Sequence, residues 1–125
     1  MNMLVDQLLT ILRTHALVRS VRLMNYDETP SGKLEIKIRC RLTQNLQLQI
    51  WLHHEIAFQD YAYQLFTNQP ILRWDNAPHY PQISTAPNHF HDKDGTVHES
   101  PLTGNTIEDL HYVLGEVEKW IARST

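Results

Sequence analysis

Two consecutive runs of alternating apolar and polar residues constrain the fold of this chain most. In residues 33–41, KLEIKIRCR, and in residues 46–52, LQLQIWL, every second residue is apolar. A period of two is typical of antiparallel strands with one buried and one solvated face. Because only a short polar turn separates the two runs, they predict a β-hairpin. Cys40, the single cysteine, falls on the apolar face, which predicts a buried thiol and excludes a disulfide scaffold.

Further strands and two helices are predicted around this hairpin. Strands are expected in residues 17–26, 61–66 and 71–74, so that five sequential strands form an antiparallel β-meander. An amphipathic helix is expected over residues 3–12, capped by Asn2, and another over TIEDLHYVLGEVEKWIARST at the C-terminal end, where Thr106 and Asp109 resemble a capping box. The sequence therefore predicts one α+β domain over residues 1–125, with the C-terminal helix packed on the sheet.

Charge and hydropathy exclude some functions. The formal net charge of −3 is not that of a protein that binds DNA through many phosphates, although a local group of arginines and histidines can still attract a phosphate. No apolar run reaches the length of a membrane helix. The N-terminal segment lacks a leading basic residue, and Asp6 interrupts its apolar part, so we expect no signal peptide, no membrane association and a cytoplasmic location.

Residues 75–105 show neither strand nor helix periodicity, and an irregular segment of this length in a small domain is usually functional or disordered. Prolines 78, 81, 87 and 101 favour a shaped loop. Half of the eight histidines lie in this segment: His79, His89, His91 and His98. We therefore interpret residues 73–91 as a His/Pro-rich loop that carries the site.

The residue types in this loop leave several chemistries open. Arg73 and Asp75 point the same way on an extended strand, and so do His89 and His91. The histidines with Arg73 suit general acid–base cleavage of a phosphodiester. Three imidazoles, including His79, could instead hold zinc. The simplest alternative is that they only hold the loop in shape. Asn76 is expected to form a turn by bonding its own backbone.

Three sequence blocks carry a resemblance to a known family. Y-A-Y at 61–63, R-W-D-N-A-P-H at 73–79 and P-N-H-F-H at 87–91 are similar to the Y-x-Y, R-[YF]-D-N-A-P-H-H and P-H-H-K-H pattern of the TumE family of toxins from prokaryotic toxin–antitoxin systems. The shared positions are Tyr63, Arg73, Asp75, Asn76, His79, His89 and His91. The chain departs from the pattern at Tyr80, Asn88 and Phe90.

The resemblance implies a growth-inhibiting toxin and a cognate antitoxin, expected to be a helix-turn-helix DNA-binding protein. The order of elements is also similar to the small toxin folds of RelE and ParE. We predict a metal-independent endoribonuclease without cofactor, in which the loop lies across the sheet. Arg73 would bind the scissile phosphate of an RNA substrate. His79 and one of His89 or His91 would be base and acid. Tyr63 would donate a hydrogen bond, and Asp75 would orient a histidine or Arg73.

The alternatives are a non-enzymatic inhibitor whose His-rich loop binds a partner, and a zinc-dependent hydrolase. Whether the chain forms a homodimer stays open.

Overall fold

Seven strands form a single antiparallel sheet in which each strand pairs with its neighbour in sequence. The computed structural model describes residues 2–124, and all statements below refer to these residues. The helices and strands, in chain order, are α1 (Met3–Thr14), β1 (Val18–Glu28), β2 (Leu34–Leu42), β3 (Gln47–His54), β4 (Gln59–Phe66), β5 (Pro70–Asp75), β6 (His89–His91), β7 (Val97–Glu99) and α2 (Thr106–Arg123).

The predicted meander is confirmed, but its predicted length of five strands is wrong. The segment after β5 adds β6 and β7 to the sheet edge. Each has three residues, too few to show a period of two. The turn that joins them contains Asp94–Gly95, and Gly95 has a φ of 87°, where glycine is favoured. The second half of the histidine segment therefore extends the sheet and does not form a loop.

Both helices pack on one face of this sheet. Alternate residues of β2 and β3, among them Ile38, Cys40 and Ile50, form one fully buried core with Leu8 and Val113 of the helices. Each fully buried aliphatic side chain of this size contributes roughly 1.5–3 kcal/mol. Cys40 is fully buried, which confirms the expected core thiol, and burial raises its pKa to about 12.

The two helix starts show one correct and one wrong expectation. The Asn2 side chain accepts a hydrogen bond from Leu4 N at 2.8 Å, as predicted for the cap of α1. At α2 the capping residue is Asn105, whose side chain accepts from Glu108 N at 3.1 Å. Asp109 does not complete a capping box; it accepts from the backbone N–H groups of Thr103 and Gly104. In the part of the chain described, no helix combines the length and apolar character that a membrane span requires.

Candidate functional site

Strands β5 and β6 bring four polar side chains together on the sheet face opposite the helices. In the β5–β6 register Arg73 lies opposite His91, and Asp75 lies opposite His89. Residues directly opposite each other on antiparallel strands point to the same face, with Cβ atoms about 5 Å apart. Phe90, between the two histidines, turns to the other face, where its ring lies 4.9 Å from that of Trp74. This alternation fixes both imidazoles beside β5.

The carboxylate of Asp75 is the centre of the site and is almost fully buried. Its Oδ1 accepts a hydrogen bond from Ala77 N at 2.9 Å and lies 3.0 Å from His89 Nε2. Its Oδ2 accepts from Arg73 Nε at 2.8 Å and lies 3.5 Å from His91 Nε2. Arg73 and Asp75, which strand spacing placed on the same face, thus form an ion pair. An acceptor-only group suits this position because its neighbours are donors.

His89 is 1% exposed, and both its ring nitrogens contact protein atoms. Nδ1 lies 2.9 Å from the carbonyl oxygen of Pro87. Because a carbonyl oxygen can only accept, Nδ1 carries a proton. Nε2 lies 3.0 Å from Oδ1 of the Asp75 carboxylate, within salt-bridge distance. His89 therefore links the carbonyl of Pro87 to the buried Asp75 carboxylate and restricts both side chains.

His91 differs from His89 because its side chain is 31% exposed. Partial burial lowers its pKa, as do the nearby His89 and Arg73, while the Asp75 carboxylate acts in the opposite direction. The imidazole is therefore neutral near pH 7. With Nε2 directed at Asp75, the Nδ1 atom is the nitrogen that can accept a proton from a bound molecule.

The guanidinium of Arg73 is held on two sides. Nε donates to Asp75 and Nη1 donates to the side-chain oxygen of Gln64 at 2.8 Å. The side chain is 41% exposed. Among residues 2–124, nothing accepts a hydrogen bond from Nη2. Arg73 thus offers a fixed cationic donor beside His91.

Tyr80 is a site residue that the sequence interpretation treated only as a departure. Its ring centroid lies 4.7 Å from that of His89 and 5.6 Å from that of His91. The tyrosine therefore covers the histidine pair with an aromatic surface. An aromatic residue directly after the A-P-H turn was the only available signal, and it does not show where the ring packs.

Two predicted site residues lie away from this cluster. Tyr63 is buried in the core on the helix-covered face, where desolvation raises its pKa above the ordinary value of 10.0. His79 is exposed on the turn after β5, and it makes no hydrogen bond or ring contact with Asp75, His89 or His91. The structure brings together Arg73, Asp75, His89 and His91 only.

Two asparagines anchor the segment between β5 and β6. Asn76 accepts a hydrogen bond from Tyr61 N and donates one to Gln59 O, both on β4, so it does not bond its own backbone as expected. Asn88 accepts a hydrogen bond from the Tyr61 hydroxyl. These contacts tie the connection to the sheet, and they give Asn88 a structural role at a position where the family pattern has histidine.

Two groups in the described chain have the ligand types of a metal site: Asp75, His89 and His91, and the exposed Asp92, Asp94 and His98. In each group the ligand atoms lie within 4.8 Å of one another. At the first group, Arg73 donates to the same carboxylate, which places a fixed positive charge beside the position that a metal ion would take.

The fold and the cluster together define a small α+β protein with a group of Arg, Asp and His side chains on the sheet face opposite its helices. A family model described as Toxin TumE matches residues 8–121. The chain belongs to the TumE toxin family, so it is a toxin, and a cognate antitoxin is its partner. Comparison with curated proteins and with solved structures gave no match. The similarity to RelE and ParE folds therefore stays a prediction.

Proposed function

We propose that this toxin is a metal-independent endoribonuclease whose chemistry takes place at Arg73 and His91. One observation carries the proposal. A half-exposed imidazole, neutral near pH 7, is oriented by a buried carboxylate next to a fixed guanidinium. A base oriented by a carboxylate and placed beside a cation is the arrangement that phosphodiester cleavage needs.

The proposed reaction is an internal transfer within RNA. His91 Nδ1 takes the proton of a ribose 2′-hydroxyl, whose oxygen attacks the adjacent phosphorus. The new 2′-O–P bond forms as the bond to the 5′-oxygen breaks, which leaves a cyclic phosphate and a 5′-hydroxyl. Arg73 Nη2 donates to the phosphate oxygens as charge develops. The remaining candidate for protonating the 5′-oxygen is His79, which is exposed on the turn that follows β5.

Asp75 and His89 act in this proposal as positioning residues. His89 is too buried to touch RNA, but it fixes one carboxylate oxygen of Asp75. The other oxygen then holds both Arg73 and the Nε2 side of His91. Tyr63 has no part in the reaction because its side chain lies on the helix-covered face.

The test is growth inhibition together with cleavage of a labelled RNA by Arg73→Gln and His91→Gln variants. Both side chains are partly exposed, so both variants should fold, and we expect each to lose toxicity and cleavage. Arg13→Gln, which removes an exposed arginine from α1, is the matched control. If both variants remain folded and fully toxic, the proposed site is wrong.

One observation favours a second candidate, a metal-dependent hydrolase. A metal-binding histidine usually donates its other ring N–H to a carbonyl or carboxylate, as His89 does with Pro87. A zinc ion on Asp75, His89 and His91 would have to separate the contact between the first two residues and displace Arg73 from the carboxylate. Metal content of the purified toxin and RNA cleavage in EDTA decide between the two. Near one zinc per chain with EDTA-sensitive cleavage would establish the metal enzyme.

A non-enzymatic inhibitor is favoured only by His89, which holds the segment by two buried contacts. If His89 and His91 variants change the melting temperature but neither toxicity nor cleavage, the segment is a binding surface.

A further inference from the structure

A continuous row of polar residues crosses the uncovered face of the sheet and ends at the proposed site. The cross-strand register places these residues directly opposite one another, one from each strand from β1 to β6: Arg22, Arg39, Gln49, Gln64, Arg73 and His91. We call them the donor row. Neighbouring strands lie about 4.8 Å apart, so Arg39 and Arg73 are about 14 Å apart along this row.

Hydrogen bonds within the row occupy its side-chain acceptors, so the groups that remain for an external ligand are mostly donors. The side-chain oxygen of Gln49 accepts from Nε and Nη2 of Arg39, at 3.2 and 2.7 Å. The side-chain oxygen of Gln64 accepts from Arg73 Nη1. Because a guanidinium can only donate, these contacts fix which way both amides point. Each glutamine then presents its NH₂ group, and the matching ligand is a chain of anionic acceptors.

A pocket of about 230 Å³ opens at the β1–β2 end of the row, lined by Ser20, Arg22, Arg39, Arg41 and Gln47. This volume holds an anion with several waters, since a water molecule occupies about 30 Å³ in the liquid. Within residues 2–124, no carboxylate lies within salt-bridge distance of the three arginines. Arg22 also stands directly opposite Arg39, and like charges in that position are destabilising. A bound anion would relieve this repulsion.

Apart from the buried Asp75, which binds Arg73, and Glu99, which lies opposite His89, the acidic strand residues of the same face lie away from the donor row. Asp27 lies opposite Glu35, and Asp60 lies opposite His53, in the strand register. All of these residues are at the other end of the strands. Glu35 is four residues from Arg39 on β2, or about 13 Å along the strand. A polyanion is therefore attracted to one band of the sheet, which runs across the strands.

Aromatic side chains border this band. The guanidinium of Arg39 lies 5.6 Å from the ring centroid of Phe66, and the half-exposed Trp51 occupies the next row. Basic side chains with adjacent aromatic surfaces are the common means of holding single-stranded nucleic acid, because phosphates contact the cations and bases stack on the rings.

We propose that the donor row is a track for the backbone of single-stranded RNA, and that the pocket at Arg22 and Arg41 binds a phosphate several nucleotides away from the one at Arg73. The proposal rests on the proposed function only for the role of Arg73. Binding along the track does not depend on cleavage.

The test is binding of a fluorescein-labelled 2′-O-methyl RNA of about 12 nucleotides, which cannot be cleaved by attack of a 2′-hydroxyl. Fluorescence anisotropy is measured from about 50 to about 200 mM KCl for the wild type and for Arg22→Gln/Arg41→Gln. We expect the Kd of the variant to rise at least about tenfold at low salt. The slope of log K against log salt should fall by about 0.7, the value for one lost phosphate contact on a single strand.

The matched control is Arg13→Gln/Arg123→Gln, which removes the same charge from exposed positions on the helices and should bind like the wild type. The melting temperature checks the fold. It should stay the same or rise in Arg22→Gln/Arg41→Gln, because repulsion between Arg22 and Arg39 is removed.

Three outcomes overturn the proposal: wild-type affinity and salt slope in the double variant, no RNA binding by the wild-type toxin, or equal losses in both double variants. If RNA binding is unchanged but affinity for the purified antitoxin falls, the pocket binds an acidic antitoxin segment instead. If RNA binding falls as expected and no form cleaves RNA, the track stands and the nuclease proposal fails.

Discussion

Two clusters of aspartate and histidine are built from strands β5 to β7 and the turn between β6 and β7, and they differ mainly in burial. Asp75, His89 and His91 form the first, and Asp92, Asp94 and His98 form the second, in the β6–β7 turn and β7. Both bring their ligand atoms within 4.8 Å of one another. In the first, Asp75 and His89 are buried; in the second, Asp94 and His98 are exposed.

The comparison shows that burial, and not residue type, makes the chemical environment of the first cluster different from that of the second. In the second, Asp94 accepts hydrogen bonds from the hydroxyl and the backbone N–H of Thr96, and these bonds lower its pKa. These hydrogen bonds form within the turn, and both residues are exposed to solvent. In the first cluster, contacts from two strands converge on one carboxylate in a low dielectric, where each is stronger and harder to replace.

The substitution Asp75→Asn should have the largest effect of all, and it tests whether the buried carboxylate is what distinguishes the first cluster. Arg73 Nε donates to one oxygen of the carboxylate and Ala77 N donates to the other. An amide must place its NH₂ group against at least one of them in either orientation. We expect the free energy of unfolding to fall by about 3 kcal/mol and toxicity to be lost. Chemical denaturation and a growth assay measure both effects.

Asp94→Asn is the matched control for this prediction. Its carboxylate is exposed and its contacts are local, so stability should change by no more than about 0.5 kcal/mol and toxicity should persist. Equal effects of the two substitutions would contradict the contrast between the clusters.

His89→Gln should have the next largest effect on stability. The imidazole bridges Pro87 O and Asp75 with its two nitrogens, and a glutamine side chain cannot reproduce both distances. Loss of one buried hydrogen bond costs about 2 kcal/mol. Thermal unfolding measures the change, and His98→Gln, at an exposed site in the other cluster, should leave the melting temperature within about one degree. A stable His89→Gln variant would show that the bridge does not hold the segment.

Sequence patterns predicted the parts of this molecule where local periodicity and burial agree. Strand β2 alternates over nine residues, so its buried face was evident. The alternation of β4 also contained the information that Tyr63 is internal, because Leu65 shares its face with Tyr61 and Tyr63. That Arg73 and Asp75 share one face followed from their spacing on one strand.

The other contacts of the site depend on long-range pairing, which the sequence does not show locally. Strand β6 has only three residues, and its place beside β5 is set by Phe90 packing near Trp74. Because the sequence does not show that register, His79 was as strong a candidate site residue as His89 and His91. The burial of His89 and the position of Tyr80 over the histidines follow from the same pairing and were missed for the same reason.

His91→Gln should separate stability from activity within the first cluster, because His91 is its most exposed member. We expect a change in stability of less than about 1 kcal/mol, since the side chain is 31% exposed and its contact with Asp75 is long. RNA cleavage should fall by at least about 10²-fold, as for loss of a general base. Single-turnover cleavage with unfolding curves measures both. A stable variant with full cleavage would remove His91 from the mechanism.

The smallest effect is the pH dependence of stability. Burial lowers the pKa of His91 and of His54 below the ordinary value of 6.5, with a smaller effect of His53 on His54. The folded protein then binds fewer protons than the unfolded chain at pH values just below 6.5. Acidification therefore favours unfolding: the contribution of these histidines is fully present above pH 6.5 and is lost as the pH falls towards their folded pKa values.

Unfolding free energies of the wild type and of His54→Gln/His91→Gln, measured between about pH 7 and about pH 5.5, test this directly. Carboxylates titrate in both proteins, so the difference between the two curves isolates the histidines. The wild type should lose more stability than the variant on acidification. Parallel curves would mean that neither histidine resists protonation in the fold, and His91 would then lack the property that makes it a base at neutral pH.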